Sequence, residues 1–167
     1  MNTTEQSFLT LINQHKAIIH KISRMYMHGD EERRDLFQEI VLQLWKAYPT
    51  FKGHSKFTTW MYRVALNTAL VYFKKEIRKV DKSPLEDGID LIDESDGADK
   101  EERLAYLYKA VQELNAVEKA LIFLFLEDQS HREIAENLGI SEVNARVRLS
   151  RTKDKLQSII KKNGYEF

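Results

Sequence analysis

The chain has 167 residues, with 26 Lys/Arg against 26 Asp/Glu and no cysteine. That length builds one domain or two small ones, and the lack of thiols excludes disulfides, thiolate nucleophiles and cysteine metal sites. The longest apolar run, ALIFLFL at 120–126, is too short to span a bilayer. No charged start with an apolar core and cleavage site is present, so a cytoplasmic location is expected.

Zero net charge conceals segregation. Residues 1–80 hold 13 basic and 7 acidic side chains, residues 81–102 hold 2 and 10, and residues 103–167 hold 11 and 9. Two non-acidic blocks thus flank a strongly acidic one, a pattern that bears on partners more than the net value does.

Residues 5–27 place Phe8, Leu11, Ile12, Ile18, Ile19, Ile22, Met25 and Tyr26 on one broad helical side. His15 and His20 have no neighbour at metal-ligand spacing and read as core-edge or surface residues. His28-Gly29-Asp30 forms a corner, with Asp30 the expected cap. A second helix then turns Leu36, Phe37, Ile40, Val41, Leu44 and Trp45 inward. It leaves Asp35, Gln38, Glu39 and Gln43 outside. No nucleophile, metal set or phosphate loop accompanies those carboxylates, so a solvated or partner-binding face is expected instead of acid–base chemistry.

Pro49 ends the second helix, because it lacks an N–H and clashes with the preceding turn. Residues 50–56 read as a loop, and a third helix is predicted over 57–79. Phe57, Trp60, Met61, Val64 and Val71 are expected to face the first two helices. Eight of the 17 aromatic residues lie between Trp45 and Phe73, interleaved with Lys46, Lys52, Lys56, Arg63, Lys74, Lys75, Arg78 and Lys79. Rings beside cations suit single-stranded DNA, where rings stack bases and cations follow the backbone. A three-helix core with a basic rim accounts for the same composition.

Residues 81–99 carry Pro84, two glycines and no sustained period, and read as a flexible acidic linker. From Lys100 the helical period returns. Leu104, Leu107, Val111 and Leu114 form one face, and Val117, Leu121, Leu124 and Phe125 form the face of the next helix. The last segment, 131–156, reads as a helix-turn-helix. Ser130 caps its first helix with Glu133 three residues on, and Ile134, Ala135 and Leu138 form the apolar side. Ala135 is small enough for a close crossing. Gly139 stops that helix in a left-handed conformation, Ile140 plugs the corner and Ser141 caps the second helix. Ala145, Leu149 and Leu156 would pack inward, with Leu138, Ile140 and Leu149 closing the core. Asn144, Arg146, Arg148 and Arg151, with Lys153 and Lys155 beyond, supply donors for base edges and phosphates. KKNGYEF at the end reads as frayed. The expected fold is all-α, with a three-helix domain at 1–80, the linker at 81–99 and a four-helix domain at 100–167.

Two segments together resemble one family. DLFQEIVLQLWKAYPTF followed by SKFTTWMYRVALNTAL resembles region two of bacterial RNA polymerase sigma factors, and LNAVEKALIFLFLEDQSHREIAENLGISEVNARVRLSRTKDKL resembles their region four. With only these two domains and a short linker, the chain resembles the extracytoplasmic-function subgroup of the sigma-70 family. The resemblance implies that Asp35, Leu36, Gln38 and Glu39 dock on the clamp helices of the polymerase largest subunit. It places region four against the flap of the second-largest subunit. Lys52, Lys56, Trp60, Tyr62, Arg63, Asn67 and Lys74 would hold the melted minus-ten DNA. Ser141, Glu142, Asn144, Arg146, Arg148 and Arg151 would contact the minus-thirty-five element. The linker would thread the polymerase active-site channel and RNA exit path. Family members are often held inactive by an anti-sigma factor. No cofactor, metal or catalytic residue is implied.

The sequence departs from the family at a few points. Leu114-Asn115 stands where Leu-Pro is common, which predicts a less rigid corner. Val143 replaces a frequent Gly, and Asn144 a frequent Thr. An ordinary helix-turn-helix regulator is the main rival reading. It predicts tight, polymerase-independent duplex binding by a dimer, yet no dimerisation helix is apparent. A small hydrolase and a pure protein-interaction module are the remaining alternatives.

Overall fold

The computed structural model describes residues 2–80 and 98–164. The linker expected at 81–99 lies almost wholly outside the described residues, as do the final three residues of the expected frayed end. The chain divides into two compact units, 1–82 and 83–167. All regular structure among the described residues is helical.

The first unit contains α1 (Thr3–Tyr26), α2 (Asp30–Ala47), a 3-10 turn (Tyr48–Thr50) and α3 (Phe57–Val80). Asn2 starts α1 with a capping box: its Oδ1 accepts from Glu5 N–H at 2.8 Å, and Glu5 Oε2 accepts from Asn2 N–H at 3.2 Å. Phe8, Ile12, Ile18, Ile19, Ile22, Met25 and Tyr26 are buried along α1, as their spacing predicts. Gly29, not Asp30, is the cap of α2, and Asp30 becomes its first helical residue. There Asp30, Glu31 and Glu32 still favour the helix by facing its positive end. Arg33 Nε donates to Met27 O at 3.0 Å and ties the corner between α1 and α2.

Leu36, Ile40 and Leu44 are completely buried on α2. Opposite them α3 buries Met61, Tyr62, Ala65, Leu66 and Ala69. This corrects the expected inward face: Phe57, Trp60 and Val64 are only half-buried, and Val71 is 56 % exposed. A helix packed against two neighbours is closest to both along its small residues, and Ala65 and Ala69 occupy that seam.

The second unit contains α4 (Ala98–Val111), α5 (Ala116–Leu126), α6 (His131–Leu138) and α7 (Glu142–Lys162). Helix α5 is its centre, with Ala116 and every residue from Lys119 to Leu124 buried. Val117 and Phe125, expected inward, are partly exposed, and so is Leu104 on α4. The corner before α5 is also firmer than its lack of proline suggests. Asn115 Oδ1 accepts from Glu118 N–H at 2.9 Å, while Glu118 Oε2 accepts from Asn115 N–H at 2.9 Å. A reciprocal cap thus takes the place of the ring. Lys119 is fully buried in this core, and burial pulls its ammonium down to about 8 from 10.5.

Candidate nucleic-acid and polymerase interfaces

The turn between α6 and α7 is built as its sequence predicts. Ser130 Oγ accepts from Glu133 N–H at 3.1 Å, and Glu133 Oε2 accepts from Ser130 N–H at 2.8 Å. Gly139 has φ 67° and ψ 35°, a left-handed conformation that costs glycine little. Ser141 Oγ then accepts from Asn144 N–H at 3.1 Å and starts α7. Ala135, Ala145, Leu149 and Thr152 are buried where α6 and α5 meet α7, whereas Leu138 and Ile140 are half-buried.

The expected readers on α7 have distinct environments. Ser141 is exposed, and its Oγ accepts the cap hydrogen bond while its O–H remains a donor. Arg146 pairs with Glu142 at 3.1 Å, and Arg148 Nε donates to Asn144 Oδ1 at 3.1 Å, each one turn away along the helix. Arg146, Arg148 and Arg151 are all exposed, and Asn144 is half-buried. The longest side chains therefore line the sides of α7 with their charge in solvent.

On the first unit, Arg63, Asn67 and Lys74 are exposed on α3. Spacings of four and seven residues place them within one narrow face of the helix. Lys52 and Lys56 are exposed in the preceding loop. Tyr62 is a correction. It is 6 % exposed on the opposite, core side of α3, so its ring has no open face for a base. Trp60 belongs to a ring cluster. Its centroid lies 5.3 Å from Phe51, 5.5 Å from Phe57 and 6.3 Å from Tyr48. Phe8 extends the cluster, 5.2 Å from Tyr48 and 5.0 Å from Trp45. Much of the aromatic excess is thus spent on packing that anchors both ends of the 51–56 loop.

On α2, Asp35 and Gln38 are exposed, whereas Glu39 is half-buried and accepts from Gln43 Nε2 at 2.9 Å. Leu36 is a second correction: with no exposed surface, it supports this face from beneath and cannot itself be a contact. Sequence reasoning missed an apolar groove of about 480 Å³ between α1 and α2, where Gln38 meets Phe8, Leu9, Leu42 and Trp45. Leu9, Leu42 and Trp45 are each about 40 % exposed there. Trp45, expected inward, is therefore a further correction: it lines this partly open groove instead of the closed core.

No cluster of His, Asp or Glu able to hold a metal occurs among the described residues. None of the described helices is long and apolar enough to cross a membrane.

A helix-turn-helix in one unit and a cationic helix face in the other define a two-domain helical DNA-binding protein. Comparison with known proteins narrows this. Residues 11–79 match the family described as Sigma-70 region 2, and residues 104–156 match Sigma-70, region 4. The chain is similar to the ECF RNA polymerase sigma-E factor of Escherichia coli (strain K12), with 28 % identity over 93 % of this chain and 88 % of that one. It is also similar to the RNA polymerase sigma-H factor of Pseudomonas aeruginosa. That match has 43 % identity over 61 residues, covering 36 % of this chain and 31 % of that protein. The chain belongs to the sigma-70 family of RNA polymerase sigma factors, in its extracytoplasmic-function subgroup.

Two solved structures share the fold. The sigma factor RpoE of Bartonella quintana, in complex with the anti-sigma factor NepR, matches with a TM-score of 0.75 and 19 % identity, over 93 % of this chain and 98 % of that one. CnrH, in complex with the cytosolic domain of CnrY, matches with a TM-score of 0.66 and 18 % identity, over 94 % and 89 %.

Proposed function

We propose that this sigma factor divides promoter recognition between its two units, with the first holding the separated minus-ten strand and the second reading minus-thirty-five duplex. The observation that carries this is the shared exposed face of Arg63, Asn67 and Lys74 on α3, the helix into which the exposed Lys52–Lys56 loop leads. Melting DNA costs unpairing and unstacking, so the opening protein must bind the separated strand better than the duplex. Cations alone hold duplex at least as well as a single strand, so the cationic face follows the backbone and the preference for the separated strand is assigned to contacts of the 51–56 loop with unpaired bases. Helix α7, by contrast, needs only to enter the major groove of intact duplex, where Asn144 and Arg146 offer donors to base edges. Arg148 and Arg151 fit phosphate contacts. Phosphodiester synthesis belongs to the polymerase.

Docking on the clamp helices of the polymerase largest subunit is assigned to Asp35, Gln38 and Glu39, supported by buried Leu36 and continued by the groove at Leu42 and Trp45. The second unit contacts the flap of the second-largest subunit. The protein acts in the cytoplasm, and an anti-sigma factor is a further partner, in keeping with the complex in which the Bartonella quintana relative was solved.

The test is run-off transcription with purified core polymerase on genomic fragments, with a permanganate footprint for unpaired thymines. Specific transcripts and a bubble should appear only when the chain is added. Replacing Gln38 or Asp35 with Arg should abolish both by breaking polymerase docking. Tight dimeric binding to intact duplex, with no bubble and no effect on core enzyme, would overturn the proposal in favour of an ordinary regulator.

A further inference from the structure

We infer that Val143 and Val147 read thymine methyl groups in the minus-thirty-five element, a specificity device that rests on the duplex-reading role proposed for α7. Val143 is 73 % exposed and Val147 is 43 % exposed. Single exposed valines are common and need no explanation. These two stand one turn apart at the start of the recognition helix, opposite the buried stripe of Ala145, Leu149 and Thr152. They therefore occupy the crest of the face that enters the groove, where the N-terminal residues of such helices meet base edges.

The polar neighbours reinforce this placement. On one side of the crest Arg146 is drawn along the helix by Glu142, at 3.1 Å. On the other, Arg148 is drawn toward Asn144, also at 3.1 Å. Donors thus border an apolar centre. The floor of the major groove offers such a centre one kind of partner, the C5 methyl group of thymine; the other distinguishing groups there are donors and acceptors. A β-branched side chain facing a donor or acceptor would strip water from it without replacing the hydrogen bond. The two valines are therefore selective in both directions: they favour thymine and penalise bases that present only polar edges. Four residues of helix span about 6 Å, so the two methyl groups should lie within about two base steps of one another, at 3.4 Å per step.

The experiment uses holoenzyme assembled from core polymerase and the full chain. A promoter library randomised across the minus-thirty-five window is selected for transcription. Each thymine of the selected element is then replaced by deoxyuridine, which removes only the methyl group. At one or two positions this should slow open-complex formation about fourfold, the effect of withdrawing one methyl-sized apolar group. The double variant Val143→Ser, Val147→Ser should initiate equally on thymine and deoxyuridine. Both positions are exposed, so its thermal unfolding should match that of the parent. Equal rates on thymine and deoxyuridine throughout the element with the parent chain would overturn the inference. A deoxyuridine penalty undiminished in the double variant would do the same. Initiation that ignores the methyl groups defeats this inference alone, whereas no initiation with core polymerase defeats the proposed function as well.

Discussion

Lys155 Nζ lies 2.9 Å from Glu118 Oε2, joining the middle of α7 to the first turn of α5 across 37 positions of sequence. The same carboxylate caps α5 by accepting from Asn115 N–H. One side chain therefore both caps the central helix and ties it to α7. Glu118→Ala should cost about 1–2 kcal/mol by removing half of the capping box together with the ion pair. Lys155→Ala should cost less than about 1 kcal/mol, because Lys155 is half exposed and the cap survives. Urea unfolding of the two variants checks the ranking. Equal losses would show that the ion pair, not the cap, dominates.

The close approach of α6 and α7 rests on Ala135 and Ala145, which are 5 % and 0 % exposed. Ala145→Leu should destabilise the second unit by about 1–3 kcal/mol through overpacking. Promoter selectivity should fall with it, since α7 would be pushed out of register. Gly139→Ala is a different kind of change. A Cβ there meets nothing within 4 Å, so only its left-handed backbone resists, at about 1 kcal/mol. Gly139→Asn should be milder than Gly139→Ala, and thermal melts of the three variants would show that order.

Alkaline pH should act oppositely on the two units. Burial lowers Lys119 to about 8, so between pH 8 and 10.5 the unfolded chain binds more protons than the folded one. Stability of the second unit should therefore rise across that window, by at most about 3 kcal/mol. Below pH 8 the full penalty for burying the charge applies. Tyr26 in the first unit is raised by burial. Its unfolded form ionises near pH 10 while the folded form keeps its proton, so stability there should fall above pH 10. Unfolding measured from pH 7 to 11 on Lys119→Met and Tyr26→Phe should flatten the corresponding slope in each case. Unchanged slopes would remove these two groups as the cause.

Local chemistry made the helix-turn-helix legible. Ser130, Glu133, Gly139 and Ser141 each act on backbone within three or four residues, so their pattern carries its own geometry. Asn115 followed three residues on by Glu118 has the same form. Attention to the missing proline concealed a signal that was present. The inward face of α3 was harder to read for a different reason. Hydrophobic size draws the eye to Phe57, Trp60 and Val71, while packing between two helices selects Ala65 and Ala69. The period of α2 placed Leu36 inward correctly, and only the docking role implied by the resemblance conflicts with its burial. That role and the DNA role given to Tyr62 share one cause, because a motif position says which helix takes part in an interface but not which way each side chain faces. The apolar groove on α1 and α2 depends on the relative placement of two helices, which no single periodicity contains.

The burial of Tyr62 also decides which substitutions can test strand holding. Tyr62→Ala would open a cavity in the first core and cost about 3 kcal/mol or more, so loss of promoter opening in that variant would report on folding. Trp60→Ala is compromised in the same way by its contacts with Phe51, Phe57 and Tyr48. Arg63, Asn67 and Lys74 are exposed and share a face, so replacing any of them by Ala should change stability by no more than about 0.5 kcal/mol. Each should nonetheless slow bubble formation while binding to core polymerase stays intact. The Lys74 and Arg63 variants should also show a shallower dependence of opening on salt, since each removes a cation beside the displaced phosphates. Asn67→Ala should leave that slope alone, because it removes a hydrogen-bonding group and no charge. The measurement is open-complex formation by permanganate reactivity at several salt concentrations, with polymerase binding followed separately. If all three variants open the promoter at the parent rate, the cationic face of α3 is only a solvated rim, and strand holding must lie in the 51–56 loop.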